Sequence, residues 1–145
     1  MAITSAICTS FKQELFVGTH NFTATTGNTF KIALFTSSAS LGASTTAYST
    51  SNEITNSSGT AYTAGGATLT SVTPTTDSTT AVCDFADVSY TSASFTANGA
   101  LIYNDTQSDK AVAVIAFGSD KTVTSGTFTI QFPTADATNA IIRLA

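Results

Sequence analysis

FTANGALIYNDTQSDKAVAVIAF, residues Phe95 to Phe117, decides how this chain is read. Phe95, Ala97, Gly99, Leu101 and Tyr103 alternate with Thr96, Asn98, Ala100 and Ile102, a period of two that fits a strand and not a helix. NDTQSDK, rich in turn formers, then carries the chain into Ala111–Phe117, which is apolar on both faces and reads as a central strand. Strand, turn and strand in succession predict a mainly β domain.

The same grammar extends in both directions. Ser-Asp-Lys recurs, so that SDKAVAV (108–114) and SDKTVTS (119–125) each place a polar turn before extended chain, a spacing that fits a meander or sandwich. Thr127–Phe132, with Phe128, Ile130 and Phe132 inward, and Asn139–Leu144, with Ala140, Ile142 and Leu144 inward, are the last strands. Upstream, Thr29–Thr36 places Phe30, Ile32 and Leu34 on one face after the Thr26-Gly27-Asn28 turn. Tyr62–Thr73 and Thr79–Phe85 are further strands, with TPTTDST turning between them. Laying TGNTFKIALFT (26–36) on SGTFTIQFPT (125–134) suggests a duplication, but alternation alone generates such echoes. About eight strands with one apolar face each predict two packed antiparallel sheets: a single β-sandwich domain over residues 1–145, jelly-roll or immunoglobulin-like, with one N-terminal amphipathic helix.

That helix is expected over about residues 4–17. Ile3, Ile7, Cys8, Phe11 and Leu15 form one stripe at helical spacing, Thr4 or Ser5 could cap its start, and Gly18 is a stop signal. The stripe serves either as a lid on the protein's own sheets or as a docking face. Residues 37–60 form a long polar loop with Leu41, Tyr48 and Ile54 as isolated anchors, expected to be functional or ordered only on assembly.

Composition narrows function. The chain has 145 residues, a formal net charge of −4 and only 10% charged residues, while serine and threonine make up about a third. Lys12, Lys31, Lys110, Lys121 and Arg143 are scattered, so no basic stripe awaits phosphates and direct nucleic-acid binding is not expected. No secretory signal and no membrane-spanning run are read. His20, the one histidine, follows the helix and reads as a complement to its C-terminal dipole. Cys8 and Cys83 read as buried small hydrophobes, neither disulfide-bonded nor metal-bound. Asp84 with Asp87, and Asp105 with Asp109, are acidic pairs in or near turns that could offer oxygens to calcium, but neither pair matches an EF-hand and aspartate is a common turn residue. No cofactor, metal site or catalytic residue is expected, and an enzyme is the least favoured class.

MAITSAICTSFKQELFVGTHNF, TGNTFKIALFTSSASLGASTTAYS, YTAGGATLT, ANGALIYN, KAVAVIAFGSDK and FTIQFPTADATNAIIRLA, taken in order across nearly the whole chain, resemble small structural proteins of tailed bacteriophages. The resemblance implies a virion component made in the host bacterial cytoplasm. It points to a capsid decoration or cement protein on the head surface, a homo-oligomer bound to the major capsid protein. The residues singled out for such contacts are Phe11, Leu15, Tyr48 and Tyr62. The alternative is a tail- or fibre-associated module that binds carbohydrate through Tyr48, Tyr62, Tyr90 or Tyr103.

Overall fold

The hairpin expected around residues 95–117 is the spine of the structure, and it is much longer than its sequence pattern suggested. The computed structural model describes residues 2–55 and 59–145. In chain order its elements are β1 (Ala6–Ile7), α1 (Thr9–Phe16), β2 (Phe30–Phe35), β3 (Ala67–Thr68), β4 (Ser71–Asp77), β5 (Thr80–Phe85), β6 (Val88–Asn104), β7 (Lys110–Ile130) and β8 (Ile142–Leu144). A short 3-10 turn, Asp105–Gln107, joins β6 to β7. The fold is therefore mainly β, with one α-helix and two antiparallel sheets ordered β1-β7-β6-β2-β3 and β4-β5-β8.

β7 corrects the expected strand list. Residues 111–117 and 127–132 were expected as separate strands with a turn at the second Ser-Asp-Lys, but one strand, Lys110–Ile130, runs through it. The register shows why. Gly99 pairs with Ala116 and Ala97 with Lys121, so residues 117–120 all oppose Asn98, whose Nδ2 donates to Asp120 Oδ1 at 2.8 Å. Gly118, at φ +78, supplies the left-handed backbone that this wide bulge needs. Bulges bend strands. A straight strand would hold Phe117 and Phe128 roughly 36 Å apart, yet their ring centroids are 6.2 Å apart. Register shifts at Tyr90/Ala93 and Ala93/Phe95, with Ser92 and Ser125 at positive φ, add to the bend, so the β6–β7 ribbon folds back and its far arm (88–95 with 123–130) approaches its near arm (99–104 with 110–116).

Other differences have equally local causes. TPTTDST is mostly strand: β4 covers Ser71–Asp77, and the turn is confined to the last two residues of that stretch, Ser78, at φ 55, and Thr79. Pro74 is tolerated there because β4 is an edge strand whose pairing slips between Val72 and Thr75. Tyr62–Thr73 contributes only β3 and the start of β4, since Gly65 and Gly66 lie at positive φ. A Cβ on Gly66 would run into the Ile32 carbonyl, so that glycine lets the chain pass close over β2. At the C-terminus only Ile142–Leu144 is strand; Ile142 is buried, but Leu144, expected inward, is 60% exposed where the edge strand β8 runs past the core.

The helix is shorter than expected, covering Thr9–Phe16 and not 4–17. Ile3 bridges Leu41, and Ala6–Ile7 pairs with Val114 and Ala113 of β7. The reason is geometric: a spacing of four, as between Ile3 and Ile7, satisfies helical and strand periodicity alike. Cys8, not Thr4 or Ser5, occupies the N-cap, without a side-chain cap. The stop at Gly18 is as expected. Gly18 sits at φ 71, its N–H donates to Leu15 O at 3.2 Å, and Thr19 N–H donates to Glu14 O at 3.1 Å, a Schellman closure.

The core lies between α1, β2 and the near arm of the ribbon. Phe30, Ile32, Ala33, Leu34 and Phe35 of β2 are all buried, on both faces. From α1, Phe11 enters an aromatic cluster, 4.8 Å from the His20 ring and 6.0 Å from Phe22. Phe22 stacks on Phe30 at 4.3 Å, and Phe30 meets Phe85 of β5 at 5.6 Å, which joins the two sheets. Phe11→Ala is accordingly expected to cost about 3–5 kcal/mol of protomer stability, read from denaturant unfolding; an unchanged midpoint would show that the helix does not anchor this core.

Candidate functional site

Among the described residues, a buried polar network, a part-buried one and an apolar groove hold most of the chemistry. The first network begins at Glu14 on the inner side of α1, where it is buried. Its Oε1 accepts from Lys110 Nζ at 2.8 Å and its Oε2 from His20 Nε2 at 2.7 Å. His20 Nδ1 in turn accepts from Asn104 Nδ2 at 3.0 Å, and the same amide donates to Asn28 Oδ1 at 2.9 Å. Burial would raise the Glu14 carboxyl, but the hydrogen bonds from Lys110 and His20 outweigh it and hold the group below the usual carboxylate range. A carboxylate on one ring nitrogen of a histidine is two-thirds of a familiar catalytic arrangement. Here the other nitrogen meets a buried amide, and the imidazole side chain has no exposed surface. The arrangement ties α1, the residues after it and the ribbon's turn together.

The second network is centred on Glu53, the one charged residue between Lys31 and Asp77. Its Oε1 accepts from Tyr62 Oη at 2.6 Å and from Gly65 N–H at 2.7 Å, while Oε2 accepts from Tyr48 Oη at 2.7 Å. Tyr62 Oη also accepts from Leu34 N–H at 2.9 Å, and Tyr103 Oη donates to Gly65 O at 2.7 Å. Burial, reinforced by the Glu53 carboxylate, holds the Tyr62 and Tyr48 hydroxyls above the ordinary phenol range, so both remain donors. The segment expected as a loose arm is thus fastened. Ile54 N–H donates to Leu34 O, Glu53 bridges Phe35, Ala47 bridges Lys110, and Ala39 and Ile54 are buried. Residues 56–58, part of the expected arm, lie outside the described residues.

The groove lies in the crook of the bent ribbon. It encloses about 840 Å³ between β1, the two arms of β7 and the chain after Ile130. Its wall is mostly apolar, including Ile7, Ile115, Phe117, Phe128, Phe132 and Ile141, and Lys121 is the one charged side chain lining it. Lys121 Nζ donates to Ser119 Oγ at 3.1 Å and pairs with no carboxylate among the described residues. Elsewhere on the surface the tip of α1 projects two large apolar residues, Phe16, 90% exposed, and Val17, 67% exposed.

The residues singled out for contacts fall elsewhere. Phe11 (1% exposed) and Tyr62 (2%) lie in the protomer's own core; Leu15 packs half-buried against it. Tyr48 is half-buried and stacks on Tyr103 at 4.5 Å. Asp105 pairs with Lys31 at 3.0 Å, Asp84 caps Phe85 N–H, Asp87 accepts from Phe132 N–H, and Asp109 turns the chain at φ 59. Among the described residues no three His, Cys, Asp or Glu side chains converge to hold a metal ion. Both cysteines are free; burial, with a smaller push from Glu14, raises the Cys8 thiol to about 11, and burial raises Cys83. No helix among the described residues is long and apolar enough to cross a membrane. The chain matches no family model, no curated protein and no solved structure.

Glu53→Ala would leave two tyrosine hydroxyls and the Gly65 N–H without their acceptor. It is expected to destabilise the protein by about 2–4 kcal/mol and to speed proteolysis within residues 37–66, compared with wild type under native conditions. Glu14 sets a pH dependence. Because folding lowers its pKa, its contribution is complete above the unfolded value near 4.5 and is lost as pH falls through the lower folded value. The stability gap between wild type and Glu14→Gln, followed by urea unfolding, should therefore be widest at neutral pH and should narrow below about pH 4; a constant gap would contradict the assignment.

Proposed function

We propose that this chain is a structural protein of a tailed-bacteriophage virion, a capsid decoration or cement protein that reinforces the coat-protein shell through protein–protein contacts. The phage assignment rests on the resemblance of its ordered segments. The observation that carries the structural role is an open apolar groove, with the exposed apolar tip Phe16–Val17, in a chain of only 10% charged residues. Apolar patches of that kind on an otherwise polar surface mark contacts with other proteins. A surface of hydroxyls and few ions approaches neighbours without the cost of stripping water from charges. We read the architecture as a β-sandwich whose second layer combines β4, β5 and β8 with the folded-back arm of the ribbon. In this reading the two polar networks keep a disulfide-free protomer ordered before it reaches the shell.

The partner in this reading is the major capsid protein, and the location is the head surface. A carbohydrate-binding tail or fibre module draws less support: Tyr62, Tyr90 and Tyr103 are buried, and Tyr48 stacks on Tyr103. The rings that such a site needs are turned to the interior. No catalytic step is proposed.

Quantitative mass spectrometry of purified particles tests the reading. The expected outcome is a copy number comparable with that of the coat protein, together with binding of the purified chain to emptied heads and not to isolated tails. A few copies per particle, or binding to tails alone, would move the protein to the tail.

A further inference from the structure

We propose that His20 is the pin of an acid-released latch: its neutral ring fastens α1 and residues 18–28 to the turn between β6 and β7, and one added proton undoes the fastening. This concerns the protomer alone and does not rest on the virion reading. His20 is the one histidine in the chain, and its side chain is fully buried. Its Nε2 lies 2.7 Å from Glu14 Oε2 and its Nδ1 lies 3.0 Å from Asn104 Nδ2.

Two backbone N–H groups, which can only donate, decide where the ring's proton sits. Gln107 N–H donates to Asn104 Oδ1 at 3.2 Å, so the Asn104 oxygen is on that side and its NH2 group faces His20 and Asn28. Asn21 N–H donates to Asn28 Oδ1 at 2.9 Å, which turns the Asn28 oxygen toward the same NH2 group. Both hydrogens of Asn104 Nδ2 are thereby committed, one to Asn28 and one to the ring. Nδ1 must accept, and the single ring proton is on Nε2, donated to the Glu14 carboxylate. A second ring proton would set N–H against N–H at Nδ1. Turning the Asn104 amide over to meet it would point NH2 at Gln107 N–H and oxygen at Asn28 Oδ1, breaking two bonds to make one.

The charged groups at the ring act in opposite senses. Glu14 of α1 favours a cation, and Lys110 of β7, 2.8 Å from the other Glu14 oxygen, opposes one. Asp105, beside Asn104, is paired with Lys31 of β2 at 3.0 Å, and Lys12 is on the exposed side of α1. Cys8, on which Glu14 also acts, is an un-ionised thiol at neutral pH. The other neighbours, Phe11, Phe22 and Phe30, are uncharged rings 4.8–6.5 Å away. The buried ring has no water to receive a proton on Nδ1, so a charged His20 is accommodated by residues 18–28 lifting away. The opened form binds a proton that the closed form has no place for, and acid therefore favours opening. Opening also takes Phe22 off Phe30, on which it stacks at 4.3 Å.

Nitrogen-15 NMR of the ring and amide hydrogen exchange, on the full chain between pH 7 and pH 5, test this above the range in which Glu14 titrates. At pH 7 the wild-type ring should carry its proton on Nε2 alone. At pH 5 the amides of Thr19, Asn21, Gly27 and Asn28 should open about tenfold more often or higher, since a solvated histidine takes a proton near about pH 6.5. Amides of β2, β6 and β7 should keep their protection. His20→Gln, whose amide can donate to Glu14 and accept from Asn104 but does not titrate, should lose the pH response. Asn104→Asp, which offers Nδ1 an acceptor, should hold a ring protonated on both nitrogens at pH 7, and it decides the matter if His20→Gln does not fold. A wild-type ring protonated on Nδ1 at pH 7, no added opening at pH 5, or equal loosening of the sheets would each overturn the proposal. So would a pH response kept by His20→Gln, or an Asn104→Asp ring that stays singly protonated.

Discussion

The bending of the β6–β7 ribbon, at the bulge in which residues 117–120 face Asn98 and at the register shifts between Tyr90 and Phe95, governs the shape of this protein. A long antiparallel ribbon with one apolar face has nowhere to hide that face if it stays straight. By bending, β6 and β7 bring Phe95 and Phe117 to the same ring, Phe128, at 5.0 and 6.2 Å. One hairpin thus covers part of itself. The crook of the same bend, closed on one side by the short strand β1, is the groove. Core and candidate interaction surface both follow from the bending of this one ribbon, at the 117–120 bulge and at the register shifts between Tyr90 and Phe95.

With so few charges, the position of each one matters. Two of the nine acidic residues, Glu14 and Glu53, hold the long irregular segments: the first fixes the helix and the residues that follow it, and the second fixes the chain between β2 and β3. Each carboxylate accepts from several donors and sits where backbone would otherwise be left to water. Bonds of this kind are strong because the acceptor is ionised and shielded. They do for the loops what cross-strand packing does for the sheets. Lys121, by contrast, has no acidic partner among the described residues, and it stands at the groove.

Much of this was legible in the residues. Alternation at Phe95–Tyr103 and Thr29–Thr36 marked strands that exist, and Gly18 marked the helix end. Glu53 carries a signal in the sequence: a lone acid in a long uncharged stretch flanked by Tyr48 and Tyr62 needs donors to accept from. The helix was overextended because Ile3 and Ile7 suit either periodicity, and the second Ser-Asp-Lys was read as a turn because bulges and turns draw on the same residues. The contact residues proposed from sequence were large and apolar, a property shared by core and interface. Phe11 and Tyr62 proved to be core, whereas Phe16 stands in solvent.

The sequence by itself determined that the chain is mainly β with a short N-terminal helix, poor in charge and rich in hydroxyls, because period and composition are local properties of the chain. It could not determine the bend in β7, the convergence of Glu14 with His20 and Lys110, or the groove between β1 and residues 128–141. Each of these joins residues far apart in the chain. Whether a polar Ser-Asp-Lys ends a strand or bulges it depends on what the opposite strand offers, here Asn98 and Gly99, and only the paired structure supplies that partner.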